Sequence, residues 1–334
     1  MTSAIIGKDP VLTALLAVVK RVAPTDTTVL ITGESGVGKK LLASTLHAES
    51  RRQAKPFVAV DFGATSRELQ EAELFGYEEG VFSHVLHGKP GRLELARGGT
   101  LFLDAIDAMD VSLQAKIARS LAERQFERIG ATHPRELDVR VVAASSHDLE
   151  KEVAAGRFRA DLFYRLNVIP LHLPPLRERG DDILLLANSF LARFCAAKGR
   201  EAPTLTPEAK AILLRYAWPG NVRELESVME RLCAASGHDA ITPEDLPEKV
   251  LSRAGKNAAP AKSSQPSKQA GFAWPRLADI EAQGMGLKEF LDEIETRLLS
   301  EALVQTKGAQ SQMAELFKMK RTTLVEKLKK KKLS

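Results

Sequence analysis

Val29-Leu30-Ile31-Thr32 runs directly into Gly33-Glu34-Ser35-Gly36-Val37-Gly38-Lys39, and further along Gly98-Gly99-Thr100-Leu101-Phe102-Leu103-Asp104 is followed by Ala105. Both stretches hold a short apolar run of the kind that a parallel sheet buries on both faces. Open α/β sheets gather their ligands at the carboxyl ends of such strands, where the glycine loop and Asp104 both fall. Gly33, Gly36 and Gly38 let the backbone turn tightly and aim its N–H groups inward. The helix that follows adds its N-terminal dipole, and Lys39 adds a point charge. This is the Walker A pattern for phosphates, with Asp104 as the Walker B carboxylate for magnesium. Gly33, Glu34, Ser35, Gly36, Val37, Gly38, Lys39 and Lys40 are therefore the candidate ATP-binding residues, and Asp104 the candidate Mg2+ ligand. Lys40 stands where P-loop proteins usually have a magnesium-binding hydroxyl.

Outward from this pair, strands and helices alternate. Thr28–Thr32, Phe57–Asp61, Thr100–Asp104, Val139–Ser145 and Val168–Leu173 read as strands. Val11–Val22, Lys39–Glu49 and Leu113–Glu123 read as helices, which predicts a parallel sheet covered by helices on both faces. After Pro174-Pro175 the strands stop. Asp181–Lys198, Pro207–Tyr216 and Asn221–Ser236 predict a smaller, all-helical subdomain. The run from Ser252 to Gln269 is rich in Ala, Lys, Ser and Pro without apolar period, the composition of a flexible linker. Leu287–Val304 resumes a helix, and two short helical segments follow, Ala309–Phe317 and Arg321–Lys332.

Charge is unevenly placed. Gln305 to Ser334 holds nine basic and two acidic side chains, +7 in a chain of net +5, so the remainder is slightly acidic. A basic end on a near-neutral body points to double-stranded DNA. No apolar stretch is long enough to span a bilayer, and no secretory signal opens the sequence, so a cytoplasmic protein without membrane contact is expected. Cys195 and Cys233 lack metal-site spacing and read as two reduced core cysteines.

Several motifs now combine. The glycine loop, Glu73-Leu74-Phe75-Gly76-Tyr77-Glu78, Pro90-Gly91-Arg92-Leu93-Glu94-Leu95-Ala96, Gly98–Asp104 and Trp218-Pro219-Gly220-Asn221-Val222-Arg223-Glu224-Leu225 resemble the AAA+ domain of bacterial enhancer-binding proteins, the sigma-54-dependent activators. The likeness runs from about Ile5 to Leu251 and resumes at the C-terminal end. There, Arg321-Thr322-Thr323-Leu324-Val325-Glu326-Lys327 is most similar to the flagellar master regulators. The resemblance implies an AAA+ α/β subdomain over 1–175, a helical lid over 176–251, a linker over 252–284 and a Fis-type helix-turn-helix over 285–334. It also implies that Arg159 and Arg165 are arginine fingers reaching a neighbouring subunit's ATP, and that Arg223 is the lid's sensor arginine. Assembly from a dimer to a hexameric ring follows from the same likeness. In that family the residue after the Walker A lysine is not Ser or Thr, so Lys40 is a mild departure.

Other departures are larger. The family's water-polarising glutamate after the Walker B aspartate is Ala105. Asp61 replaces the asparagine that bonds that glutamate, and is a candidate relocated base. Ser145 and Ser146 replace a Thr-Asn sensor pair. The sigma-54-contacting loop, GAFTGA in the family, is Gly80-Val81-Phe82-Ser83-His84-Val85, bulkier and stiffer at its tip. Three of these four changes fall on hydrolysis and one on its output.

At the C-terminal end Ala314 is small where two helices would cross, with Leu316, Phe317, Leu324 and Leu328 as core. Arg321, Thr322, Thr323, Glu326 and Lys327 are candidate base or phosphate contacts on the second helix, with Lys318, Lys320 and Lys330 directed at phosphates. No receiver or other sensory domain precedes Ile5 in this sequence, so control is expected from expression, a partner or the nucleotide pocket. The preferred reading is a DNA-binding regulator that binds ATP, hydrolyses it poorly and does not itself remodel sigma-54. It would act as repressor, antagonist or co-assembly partner of an active paralogue. An ATP-driven activator of sigma-54 promoters comes second. A cyclic di-GMP-responsive regulator, as some flagellar relatives are, comes last, because Thr2 to Gly7 lacks an arginine to grip that ligand.

Overall fold

A computed structural model of the chain describes residues 5–81, 87–235 and 239–254 continuously, then scattered positions from 288 to 319 and the run 321–331. Two compact units divide between Pro260 and Ala261.

The first unit is built on a five-stranded, all-parallel sheet. Its strands are β1 (Val29–Thr32), β2 (Phe57–Asp61), β3 (Thr100–Asp104), β4 (Arg140–Ser145) and β5 (Ile169–His172). They lie in the order β2-β3-β4-β1-β5, each within a residue or so of its expected bounds. β3 and β4 are almost entirely buried because neighbours flank them and helices cover both faces. One apolar cluster gathers Leu30, Leu101, Leu103 and Val141 with Phe75, Ile117 and Leu162. The other takes the opposite side chains, Ile31, Phe102, Val142 and Ala144, with Leu12, Leu42 and Leu46. The period-two alternation of the strands thus feeds two cores.

The opening helix, Pro10–Val22, starts on Asp9, whose carboxylate accepts the Leu12 amide at 3.0 Å. Its far end is closed by a buried guanidinium. Arg140, 1% exposed, donates to the Ala23 carbonyl at 2.6 Å and the Val22 carbonyl at 3.2 Å. The first residue of β4 thereby satisfies orphan carbonyls and the negative end of that helix.

Beyond β5 comes the lid. Asp182–Ala196, Pro207–Arg215, Asn221–Ala235 and Glu248–Ala254 are helices. Trp218, Tyr216, Leu186, Leu225 and Met229 are among the side chains of its own core. A two-residue parallel pairing, Thr204–Leu205 with Ala240–Ile241, joins the helices, which helical periodicity alone did not foretell. Ile6 packs on the lid core and Ile5 on the sheet. The segment is fastened where Asp182 accepts the Lys8 amide and Arg179 donates to the Ile6 carbonyl.

In the second unit the helix Arg321–Lys330 contributes Leu324 and Leu328 to a small core with Leu299, Ala302, Met313 and Ala314. Ala314 is buried, as its size at a helix crossing demands. Phe317 is partly buried there, while Leu316 lies outside the described residues, as does most of the linker.

Candidate functional site

The loop after β1 forms a cradle. Gly33, Gly36 and Gly38 have φ of 145°, 81° and 106°, a region costly for any residue with a Cβ. A Cβ on Gly36 would also lie 2.3 Å from the Gly220 carbonyl oxygen of the lid, so this glycine is required by the close approach as well. Lys39 opens the next helix, Lys39–Ala48, and is 8% exposed. Its ammonium donates to the Gly33 carbonyl at 2.7 Å, the Glu34 carbonyl at 3.1 Å and the Ser146 hydroxyl at 2.7 Å. Burial pushes its pKa down, and the charges of Asp104 and Asp107 counter this.

At the adjoining strand ends, Asp61 and Asp104 are register partners on β2 and β3. Burial pushes the Asp104 carboxyl up, the facing Asp61 adds to that, and the hydrogen bond from the Ala105 amide works against it. Ala105 stands in the left-handed region, φ 53°, directing a lone methyl group from the strand edge. A Cβ built on Gly63 would meet the Ala105 Cβ at 3.4 Å and the Asp61 Oδ1 at 3.3 Å, so the two side chains flank one small space. Asp61 Oδ1 already accepts the amides of Gly63 at 2.9 Å and Ala64 at 3.2 Å.

A cluster that the sequence only half disclosed adjoins these groups. Asp107 accepts the Ser145 hydroxyl at 2.6 Å and pairs with the His147 Nδ1 at 2.8 Å. Burial works against ionisation of Asp107, but these bonds outweigh it and hold its carboxyl below the usual aspartate range. Ser145 and Ser146 stand out in the sequence as departures, whereas Asp107 does not. Its signal was an extra acid three positions after Asp104.

The lid closes on the cradle through Glu34. Arg177 donates to both its oxygens, at 2.9 and 2.7 Å, and Asn221 Nδ2 to one of them at 3.0 Å. Asn221, fully buried with φ 51°, also donates to the Ser35 carbonyl and accepts the Leu176 amide. The hydrogen bond from Arg177 holds the Glu34 carboxyl below the ordinary 4.5, despite some burial. A lowered folded value means the latch's contribution is whole above the unfolded value and fades as pH falls through the folded one. Glu34→Gln is therefore expected to lower the thermal midpoint at about pH 7 and to converge on wild type as pH is brought down through the folded Glu34 value. A gap unchanged across that range would overturn the latch.

This cradle fits a nucleoside triphosphate: a glycine turn, a buried ammonium and a carboxylate meet at one sheet edge. For a magnesium ion the donor set is thinner, since Lys40 is exposed and offers no oxygen, leaving Asp104 with Asp61 beside it.

Residues 5–172 match the sigma-54 interaction domain, 177–263 the AAA+ ATPase lid domain, and 290–330 the bacterial regulatory protein Fis family. The chain is 41% identical over 330 residues to the DNA-binding transcriptional regulator NtrC of Escherichia coli K12, covering 98% of this chain and 70% of that protein. The chain belongs to the sigma-54-dependent activator family. It is also 48% identical over 241 residues to the response regulator FleR of Pseudomonas aeruginosa, covering 72% of this chain and 51% of that protein. Among solved structures, NtrX of Brucella abortus in complex with ATP superposes with a TM-score of 0.68 at 33% identity, covering 98% of this chain and 69% of that one.

Arg159 and Arg165 are on or beside the helix Ala160–Leu166. Arg159 is paired with Asp161 at 2.8 Å, and Arg165 is exposed with no ion pair to any described residue. Arg223 of the lid places Nη1 3.5 Å from the Ser35 hydroxyl, and its amide donates to the Gly36 carbonyl at 3.2 Å.

The family's sigma-54-contacting loop rises here from Gly76–Tyr77 and returns through Lys89–Pro90, which pair antiparallel. Arg128 and Arg135 bridge Glu78 and Glu94 at this stem, with contacts from 2.5 to 3.5 Å. The Ile129 amide donates to the Gly76 carbonyl. The tip, Phe82 to Leu86, lies outside the described residues.

On the helix Arg321–Lys330, within the Fis-family match, Thr322 and Thr323 are exposed. Lys327 is held differently from expectation: its ammonium pairs with Glu295, and Lys331 pairs with Asp292 at 2.6 Å. In this structure Lys327 thus ties its helix to the one that carries Glu295. Lys318 and Lys320 lie outside the described residues, as do the side chains of Arg321, Glu326 and Lys330. Among the described residues no helix is long and apolar enough to cross a membrane.

Proposed function

We propose that this chain is a DNA-binding regulator of the sigma-54 activator family that binds ATP, turns it over poorly and does not itself remodel sigma-54. The observation that carries the reading is Ala105. A methyl group stands where the family's glutamate would polarise water, and the nearby Asp61 has one oxygen committed to two backbone amides. Lys39 and the Gly33–Gly38 amides would hold the phosphates, and Asp104 the Mg2+. When bound, that ion supplies positive charge to the phosphoryl oxygens. Asp61, Asp107, Ser146 and His147 adjoin this edge, and none stands on the residue that follows Asp104.

Arg159 and Arg165 support assembly, either with copies of the same chain or with an active paralogue, because an arginine fork suits the charge of a neighbour's phosphates. Repression, antagonism or co-assembly on double-stranded DNA is then the output, with flagellar promoters as the proposed targets from the likeness of Arg321 to Lys327.

The test is steady-state ATP turnover by the purified chain at ring-forming concentration, with Lys39→Ala as background. Turnover near that background with intact ATP binding supports the reading. Turnover far above it, or transcription from a sigma-54 promoter driven by this protein alone, overturns it. The ATP-driven activator remains the second reading on one observation: the Asp61 carboxylate flanks the space beside Ala105. Asp61→Asn removing most turnover would establish it.

A further inference from the structure

Cys195 and Cys233, the chain's two cysteines, are 38 positions apart, yet their sulfurs lie 3.0 Å from each other. They are 3% and 1% exposed. Each sits near the C-terminal end of its helix, in Asp182–Ala196 and Asn221–Ala235, which pack together in the lid core. Among the described residues they belong to no group of three or more His, Cys, Asp and Glu side chains that could hold a metal ion. A cleft of about 380 Å³ borders both sulfur-bearing residues, with Arg200, Pro203, Thr204 and Asp239 along its wall.

We infer that Cys195 and Cys233 form a redox-active dithiol in the lid, a modification site that closes to an intramolecular disulfide under peroxide and reopens under thiol reductants. Disulfide sulfurs are about 2.05 Å apart, so closure asks for an approach of about 1 Å by two side chains already in contact. One thiolate attacks a peroxide oxygen, the O–O bond breaks, and the displaced hydroxide takes up a proton, leaving a sulfenic acid and water. The second sulfur then attacks the sulfenic sulfur, and the departing hydroxide takes up the second thiol's proton to give water and the disulfide. Burial holds the Cys195 thiol's pKa up, which slows the first step and restricts it to oxidants small enough for the cleft.

The bridge would act on the lid. The helix that ends near Cys233 begins at Asn221, whose side chain holds Glu34 and Ser35 of the phosphate loop. The helix that ends near Cys195 begins at Asp182, which holds the Lys8 amide. Joining their far ends makes one body of the two attachments. This inference does not depend on whether ATP is hydrolysed.

The test exposes the full chain to hydrogen peroxide, quenches it, unfolds it with excess maleimide and weighs it. The expected result is loss of both alkylation sites, a mass about 2 Da below the reduced chain and a Cys195–Cys233 cross-linked peptide, all reversed by dithiothreitol. The oxidised wild type should also melt about 3 °C or more higher, a shift absent in Cys195→Ser. Two thiols still alkylated, a single sulfur driven to sulfinic acid, or a cross-link between chains would each overturn the inference. The first readout needs only the wild-type protein, so it stands even if a variant misfolds.

Discussion

Ala105→Glu is expected to raise ATP turnover by about a hundredfold or more, the usual scale for restoring a positioned base. The backbone is ready for it. Ala105 already holds φ 53° with its amide bonded to Asp104, so the substitution lengthens a side chain without asking for a new turn. What greets the new carboxylate is Asp61, since its Oδ1 and the Ala105 Cβ would both lie within 3.4 Å of a Cβ placed on Gly63. Two like charges there would raise one pKa and misdirect the other. Ala105→Glu with Asp61→Asn is therefore expected to exceed the single substitution severalfold, because an amide can donate where a carboxylate repels. Turnover unchanged in both variants would mean that hydrolysis is limited elsewhere, at Ser146 or at assembly.

The largest stability effect is expected at Trp218. It is fully buried, its indole N–H donates to the Leu213 carbonyl at 2.9 Å, and it meets Tyr216 edge to face at 5.0 Å. Trp218→Ala should cost about 3–5 kcal/mol, the range for emptying an aromatic site that cannot collapse. The damage should extend past the lid core. Trp218 and Asn221 both hold positive φ in the turn that delivers Asn221 to Glu34 and Ser35. Weakened ATP binding is expected with the loss in denaturation midpoint, and Trp218→Phe should recover part of both. A loss under about 1 kcal/mol would show that this turn is held by its hydrogen bonds alone.

The sheet was legible because its signal is local. Val29–Thr32 and Thr100–Leu103 are apolar runs closed by glycines, and burial on both faces leaves such strands little other composition. The phosphate loop was legible for the same reason, since φ above zero at three positions selects glycine. What escaped are pairings between distant positions. Arg140 reads as the polar start of a strand, and nothing nearby in sequence says that its guanidinium caps a helix ending at Val22. Glu34 reads as a loop residue, whereas its partners Arg177 and Asn221 arrive from the lid. Cys195 and Cys233 read as core cysteines, but 38 positions of separation do not say that their sulfurs meet. A basic helix from Arg321 was legible in the same local way, but not the ion pairs that its Lys327 and Lys331 make with Glu295 and Asp292.

Glu78, Glu94, Arg128 and Arg135 have a consequence for how this protein can change. They bind the base of the loop from Gly80 to Val85 to the segment around Ile129, so the frame is complete before the tip begins. The stem is then held by contacts that owe nothing to the loop's own sequence. Substitutions within the loop are therefore expected to leave the stem's ion pairs, and the fold beneath them, in place.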